Sequence, residues 1–110
     1  MKKYPLAESG RAIADAAGIA TVQLRSQIGG EWWEITSATV SGNSVLEPQV
    51  KIYRGFISDS FIIGGSASGN LDSGYGSDLI QPNVSVIAQW TQSTPGSQFT
   101  FTVQGQRWRD

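Results

Sequence analysis

The chain has 110 residues, a formal net charge of −1, and neither cysteine nor histidine. This length accommodates one hydrophobic core and no second domain. The two missing residue types exclude disulfides, Ser-His and Cys-His nucleophile pairs, and zinc sites of the usual Cys/His type. The eight Lys and Arg are scattered and form no basic stripe, so nucleic-acid binding is not predicted. Only carboxylate, Tyr or Lys chemistry would remain, and no cluster of such groups is apparent on compatible faces. We therefore expect a protein that is not an enzyme and that needs no cofactor.

The sequence also lacks the signals of membrane insertion and export. No stretch of 18 apolar residues is present, so no transmembrane helix is predicted. Lys2 and Lys3 are followed by a segment that Glu8, Arg11 and Asp15 interrupt. A secretory signal needs an apolar region at that place, so none is predicted.

The first 18 residues differ from the rest of the chain, because Ala, Gly and charged residues dominate them. Apolar residues at helical spacing within 13–17 allow a short helix ended by Gly18, but the apolar stripe is weak. We favour an extended arm over residues 1–18 that lies against a neighbouring molecule. Leu6 and Ile13 are its candidate contact residues.

From residue 19 onward, apolar and polar residues alternate with a period of two, which is typical of half-buried strands. Gly, Ser, Asn and Pro clusters separate the runs and indicate turns. The pattern predicts an antiparallel β-sandwich or jelly roll over residues 19–110. The last two strands flank Pro95-Gly96 and are predicted to pair as a hairpin. The predicted strands cover residues 21–28, 31–40, 50–53, 61–63, 84–91 and 97–104.

Glu31 and Glu34 are the closest approach to a catalytic carboxylate pair. Residues three apart in a strand point to opposite faces, so the two side chains cannot cooperate on one bond. We interpret them as the solvated start of a strand.

Residues 64–78 are rich in Gly, Ser, Asn and Asp and are predicted to form a loop, with room for one short strand. Asn70, Asp72 and Asp78 carry the hard oxygen ligands that calcium prefers. Their spacing does not match an EF-hand, and turn formation explains the same residues equally well. No metal site is assigned to them.

The aromatic residues divide into two groups according to the phase of their strands. Trp32, Tyr53 and Trp108 fall on the polar phase, and large exposed rings are enriched in binding surfaces. These three residues are therefore predicted to contact a protein partner. Carbohydrate binding is the alternative, because sugars stack on flat aromatic surfaces and Tyr75 would join the same three rings. The rings on the apolar phase are predicted to lie in the core: Trp33, Trp90, Phe99 and Phe101.

The order of several short segments resembles that of small virion proteins and minor tail protein domains of tailed phages that infect actinobacteria. The resemblance covers about residues 31–106 and leaves out the first 18. It implies a capsid decoration or tail-associated protein. The partners that it implies are capsid or tail proteins and further copies of this chain. The protein would be located in the virion, after assembly in the host cytoplasm. The resemblance carries over no functional residues. The matching segments are IYRG (52–55), GGSASGNLD (64–72), VIAQWT (86–91), PG (95–96) and FTFTVQG (99–105).

Overall fold

The computed structural model describes residues 2–43, 48–66, 71–72 and 78–109. The described residues contain nine β-strands and one short 3-10 turn at Asp59–Phe61, and no α-helix. The strands are β1 Tyr4–Ile13, β2 Ala20–Leu24, β3 Glu31–Gly42, β4 Gln49–Arg54, β5 Ile62–Ser66, β6 Leu71–Asp72, β7 Asp78–Ile80, β8 Val86–Thr91 and β9 Gln98–Arg109.

The strands form two antiparallel sheets, which confirms the predicted β-sandwich. In the first sheet the order is β1-β9-β3, and both β6 and β7 pair with the far edge of β3. In the second sheet the order is β2-β8-β4-β5. Alternate side chains of the longer strands, such as β2, β3 and β9, point toward the opposite sheet, so the core lies between the two sheets.

The four rings predicted for the core are buried there. Trp90 of the second sheet stacks on Phe99 of the first, with ring centroids 4.7 Å apart and planes 24° apart. Trp33 and Phe101 belong to the same apolar cluster. Burial of rings of this size supplies much of the free energy that holds the two sheets together.

The predicted hairpin between the last two long strands is wrong. β8 lies between β2 and β4 in the second sheet, whereas β9 lies between β1 and β3 in the first. Both edges of each strand are therefore already paired with other strands, and the connection passes from one sheet to the other. The predicted turn at Pro95-Gly96 is present: Gly96 has φ 85°, and the amide of Ser97 donates to the carbonyl of Thr94 at 3.1 Å.

The helix considered for the N-terminal segment is absent, since residues 4–13 form β1. This strand pairs with β9 over ten consecutive residues and packs against β2 of the other sheet. β1 is thus held by its own chain and is part of the sandwich. After it, the Asp15 carboxylate accepts hydrogen bonds from the amides of Ala17 and Ile19, which closes the turn into β2.

Two other boundaries differ from the prediction. The strand predicted over 21–28 ends at Leu24, because the chain turns between Ile28 and Glu31. Phe61 lies in the 3-10 turn, and β5 continues to Ser66 into the segment predicted as loop.

A bulge interrupts the pairing of β3 with β9. Ile35 pairs with Gly105 and Ser37 pairs with Gln104, so Thr36 is the extra residue. At this point the backbones approach so closely that a Cβ atom at Gly105 would overlap the carbonyl oxygen of Glu34. The irregularity therefore depends on a glycine in β9.

Candidate functional site

The five residues predicted to contact a partner have very different environments. Leu6, Tyr53 and Trp108 are buried within the chain, with 2%, 5% and 9% of their surface exposed. Ile13 is 64% exposed and Trp32 is half-buried. The contact prediction therefore fails for the three buried residues and remains a prediction for Ile13 and Trp32.

Trp108 lies on the outer face of the first sheet, as the period of β9 predicts, yet it is almost fully covered. On one side the ring of Trp32 in β3 is nearly parallel to it, with centroids 6.5 Å apart. The ammonium group of Lys3 lies 4.6 Å from the centroid of Trp108 and makes a cation–π contact. Its neighbours in the same sheet thus shield this ring from water, which the alternation along a single strand cannot reveal.

Tyr53 is covered in a similar way on the outer face of the second sheet. Its register partners are Ile87 in β8 and Ile62 in β5, so an apolar side chain lies in the strand on each side. Tyr53 and the Trp32–Trp108 pair belong to different sheets, so they do not form one aromatic surface. The fourth ring of the carbohydrate prediction, Tyr75, lies outside the described residues.

Glu31 is not a solvated residue, which corrects the prediction. Only 6% of it is exposed, and its Oε1 accepts hydrogen bonds from Ser26 Oγ at 2.6 Å and from Trp33 Nε1 at 2.8 Å. Glu34 lies on the opposite phase of β3 and is half-buried. The carboxylate of Glu31 therefore has a structural role: it satisfies a buried indole N–H and anchors the turn before β3.

A group of exposed apolar side chains lies between β4 and β5 and on β7. Phe56 is 67% exposed, and its ring contacts that of Phe61 with centroids 5.6 Å apart. We call this group the Phe56 patch; it consists of Phe56, Phe61 and Leu79, which line one groove and are each at least 40% exposed. The sequence pattern does not reveal the patch, because Phe56 follows a glycine and lies outside the alternation of any strand, while Phe61 falls in a predicted strand.

A groove of about 370 Å³ runs through the patch. Phe56, Phe61 and Leu79 line it together with Val84, and Arg54 and Gln81 add polar atoms. A guanidinium nitrogen of Arg54 donates to the carbonyl of Leu79 at 3.3 Å, which connects β4 of one sheet to β7 of the other. The groove thus lies between the end of β4 in the second sheet and β7 in the first.

The loop considered for calcium binding contributes no site that can be described. Asn70 lies outside the described residues, and Asp72 and Asp78 are described only as backbone positions in β6 and β7. In the ranges that the structure describes, no group of three or more carboxylate, histidine or cysteine side chains is placed to hold a metal ion.

A search of the described residues for membrane-spanning segments found no helix long and apolar enough to cross a bilayer. Comparisons with known proteins give no relatives: no family model, no curated protein and no solved structure matches this chain.

Proposed function

We propose that this chain is a non-enzymatic structural protein of a tailed-phage virion, and that it attaches to its partner through the Phe56 patch. The observation that carries the proposal is the exposure of three large apolar side chains around one groove on a small domain. A soluble monomer rarely leaves a contiguous apolar surface open to water, since covering it removes an unfavourable hydration free energy.

The arrangement of the patch fits a protein partner. Two phenylalanine rings in mutual contact form an anchor, and the groove beside them receives a side chain of the partner. Arg54 and Gln81 at the groove supply hydrogen-bond donors that fix the orientation of a bound segment. The partners we infer are a capsid or tail protein and further copies of this chain.

The virion context rests on the resemblance of residues 31–106 to phage proteins. That resemblance includes the IYRG segment at residues 52–55, which directly precedes Phe56. Absence of His and Cys agrees with a role that involves no Ser-His or Cys-His nucleophile pair.

The proposal is tested by sedimentation of the purified chain with empty head shells and with tails produced from the same genome. We expect saturable binding to one of the two, and loss of binding in the double variant Phe56→Ser, Phe61→Ser. Ile19→Ser is the matched control, because Ile19 is 37% exposed and precedes Ala20 at the opposite end of the second sheet from Arg54. Absence of binding to either particle contradicts the proposal.

Carbohydrate binding is the second candidate, and the Trp32–Trp108 pair favours it. The ring of Trp32 is half-buried and offers a flat apolar surface at the outer face of the first sheet. The ring of Trp108 is already covered by Lys3 and Trp32. The exposed ring surface of the pair is therefore smaller than stacking of a saccharide chain requires. Binding on a glycan array that Trp32→Ala abolishes would establish this function in place of the first.

A further inference from the structure

A second cavity, separate from the Phe56 patch, lies at the end of the first sheet. Its volume is about 420 Å³, and its lining consists of Lys2, Tyr4, Gly29, Gly30 and Arg109. This volume falls within the range of about 300–1,000 Å³ that is usual for small-molecule sites. Three separate parts of the chain, the start of β1, the turn before β3 and the end of β9, come together to form it.

The cavity is lined by hydrogen-bond donors and cations. The side chains of Lys2 and Arg109 form no ion pair with any residue in the described parts of the chain. Glu31, the register partner of Arg109, directs its Oε1 to Ser26 and Trp33. Two cationic side chains therefore line this cavity without a described ion-pair partner, and the carboxylate of Glu31 is buried and bound by Ser26 and Trp33.

The turn at Gly29-Gly30 adds two backbone donors. The amide of Glu31 donates to the carbonyl of Ile28 at 3.3 Å, and Gly30 has φ 74°, a value that glycine adopts without strain. Neither the Gly29 nor the Gly30 amide donates to an acceptor in the ranges that the structure describes. No atom lies within 4 Å of the Cβ position of either glycine, so the space beside the turn is open.

Tyr4 supplies an aromatic wall. Its side chain is 50% exposed, and the ammonium group of Lys2 lies 5.6 Å from the ring centroid. A half-exposed ring beside a cation is suited to a ligand that has both a flat apolar face and a negative charge.

We propose that this cavity binds a saccharide unit that carries an acid group, such as a uronic acid. The acid group pairs with Lys2 and Arg109, the amides of Gly29 and Gly30 donate to its oxygens, and the sugar ring packs on Tyr4. A phosphate or sulfate ion alone would leave the Tyr4 ring and most of the cavity unused. A nucleic acid is disfavoured, because the net charge of the chain is −1.

The proposal is tested by titrating the ¹⁵N-labelled chain with trigalacturonic acid and following the amide resonances of Gly29 and Gly30. We expect both resonances to shift and the affinity to fall as the salt concentration rises. Arg109→Gln should weaken the affinity about tenfold through loss of a charge-assisted hydrogen bond. Arg11→Gln is the matched control, because Arg11 is exposed on β1 near the opposite end of the first sheet and should have no effect.

A second variant, Gly29→Glu, places a carboxylate beside the cavity, where it should compete with the ligand. An unchanged spectrum elsewhere verifies that each variant is folded. The proposal is overturned if trigalacturonic acid leaves Gly29 and Gly30 unshifted, or if neutral galactotriose binds equally well. If inorganic phosphate binds with equal affinity, the cavity is a simple anion site. If oligothymidylate binds more tightly, the cavity is a nucleic-acid site. Either result overturns the proposal.

Discussion

Trp32 and Trp108 face each other across β3 and β9, with ring planes 6° apart and centroids 6.5 Å apart. The pair lies on the outer face of a sheet, yet Trp108 is only 9% exposed. Lys3, which immediately precedes β1, covers the Trp108 ring further. Trp108 thus belongs to a small apolar cluster outside the main core.

This cluster predicts unequal effects of the two tryptophans on stability. Trp108→Ala should lower the free energy of unfolding by about 2–3 kcal/mol, because it removes a nearly buried ring. Trp32→Ala should lower the free energy of unfolding by about 1 kcal/mol, since the side chain of Trp32 is only half-buried. Urea denaturation of the two variants measures both values, and a larger cost for Trp32→Ala would contradict the packing described for the pair.

Glu31 gives a second prediction, because two donors depend on one carboxylate oxygen. Glu31→Ala leaves the buried N–H of Trp33 without an acceptor and should destabilise the fold by about 2–3 kcal/mol. Glu31→Gln keeps an acceptor oxygen and should cost about 1 kcal/mol. Equal costs in thermal or urea unfolding would show that the carboxylate does not hold these groups.

The bulge in β3 gives a third prediction. Gly105→Ala should destabilise the protein by more than about 2 kcal/mol, because the new methyl group overlaps the Glu34 carbonyl and the strands must separate. Gly29→Ala is the control: the space around its Cβ position is open, and its unfolding free energy should change by less than about 1 kcal/mol. A Gly105→Ala variant as stable as wild type would contradict the close approach of β3 and β9.

The Phe56 patch gives a fourth prediction, about self-association. Sedimentation equilibrium of the purified chain should show an apparent mass that rises with concentration as the patch becomes covered by further copies. Phe56→Ser with Phe61→Ser should remain monomeric while losing about 1–2 kcal/mol of stability, since 67% of Phe56 and 42% of Phe61 is exposed. An oligomer that survives both substitutions would place the contact elsewhere.

The fold class followed from the sequence because the inward residues of each strand alternate so regularly. Val86, Ala88 and Trp90 are an example: all three were predicted inward and all are fully buried. The pairing of strands was harder to predict from the sequence. Alternation identifies a strand and its two faces, but it does not indicate which other strands lie beside it in the sheet. The hairpin predicted around Pro95-Gly96 failed for this reason.

Less of the candidate site than of the fold could be predicted from the sequence. Tyr53 and Trp108 were correctly placed on the outward phase, but the side chains that cover them come from distant parts of the chain. Phe56 and Phe61 meet only because the chain turns between β4 and β5. Their contact follows from the three-dimensional path of the chain and not from a periodic pattern.

The central claim, contact through the Phe56 patch, is tested most directly by site-specific photo-crosslinking. Benzoylphenylalanine is placed at position 56 in one sample and at position 19 in another, and each is irradiated with purified particles of the same phage. The account predicts that position 56 crosslinks to a capsid or tail protein or to a second copy, and that position 19 does not. Crosslinks from position 19 alone, or from neither position, would contradict it.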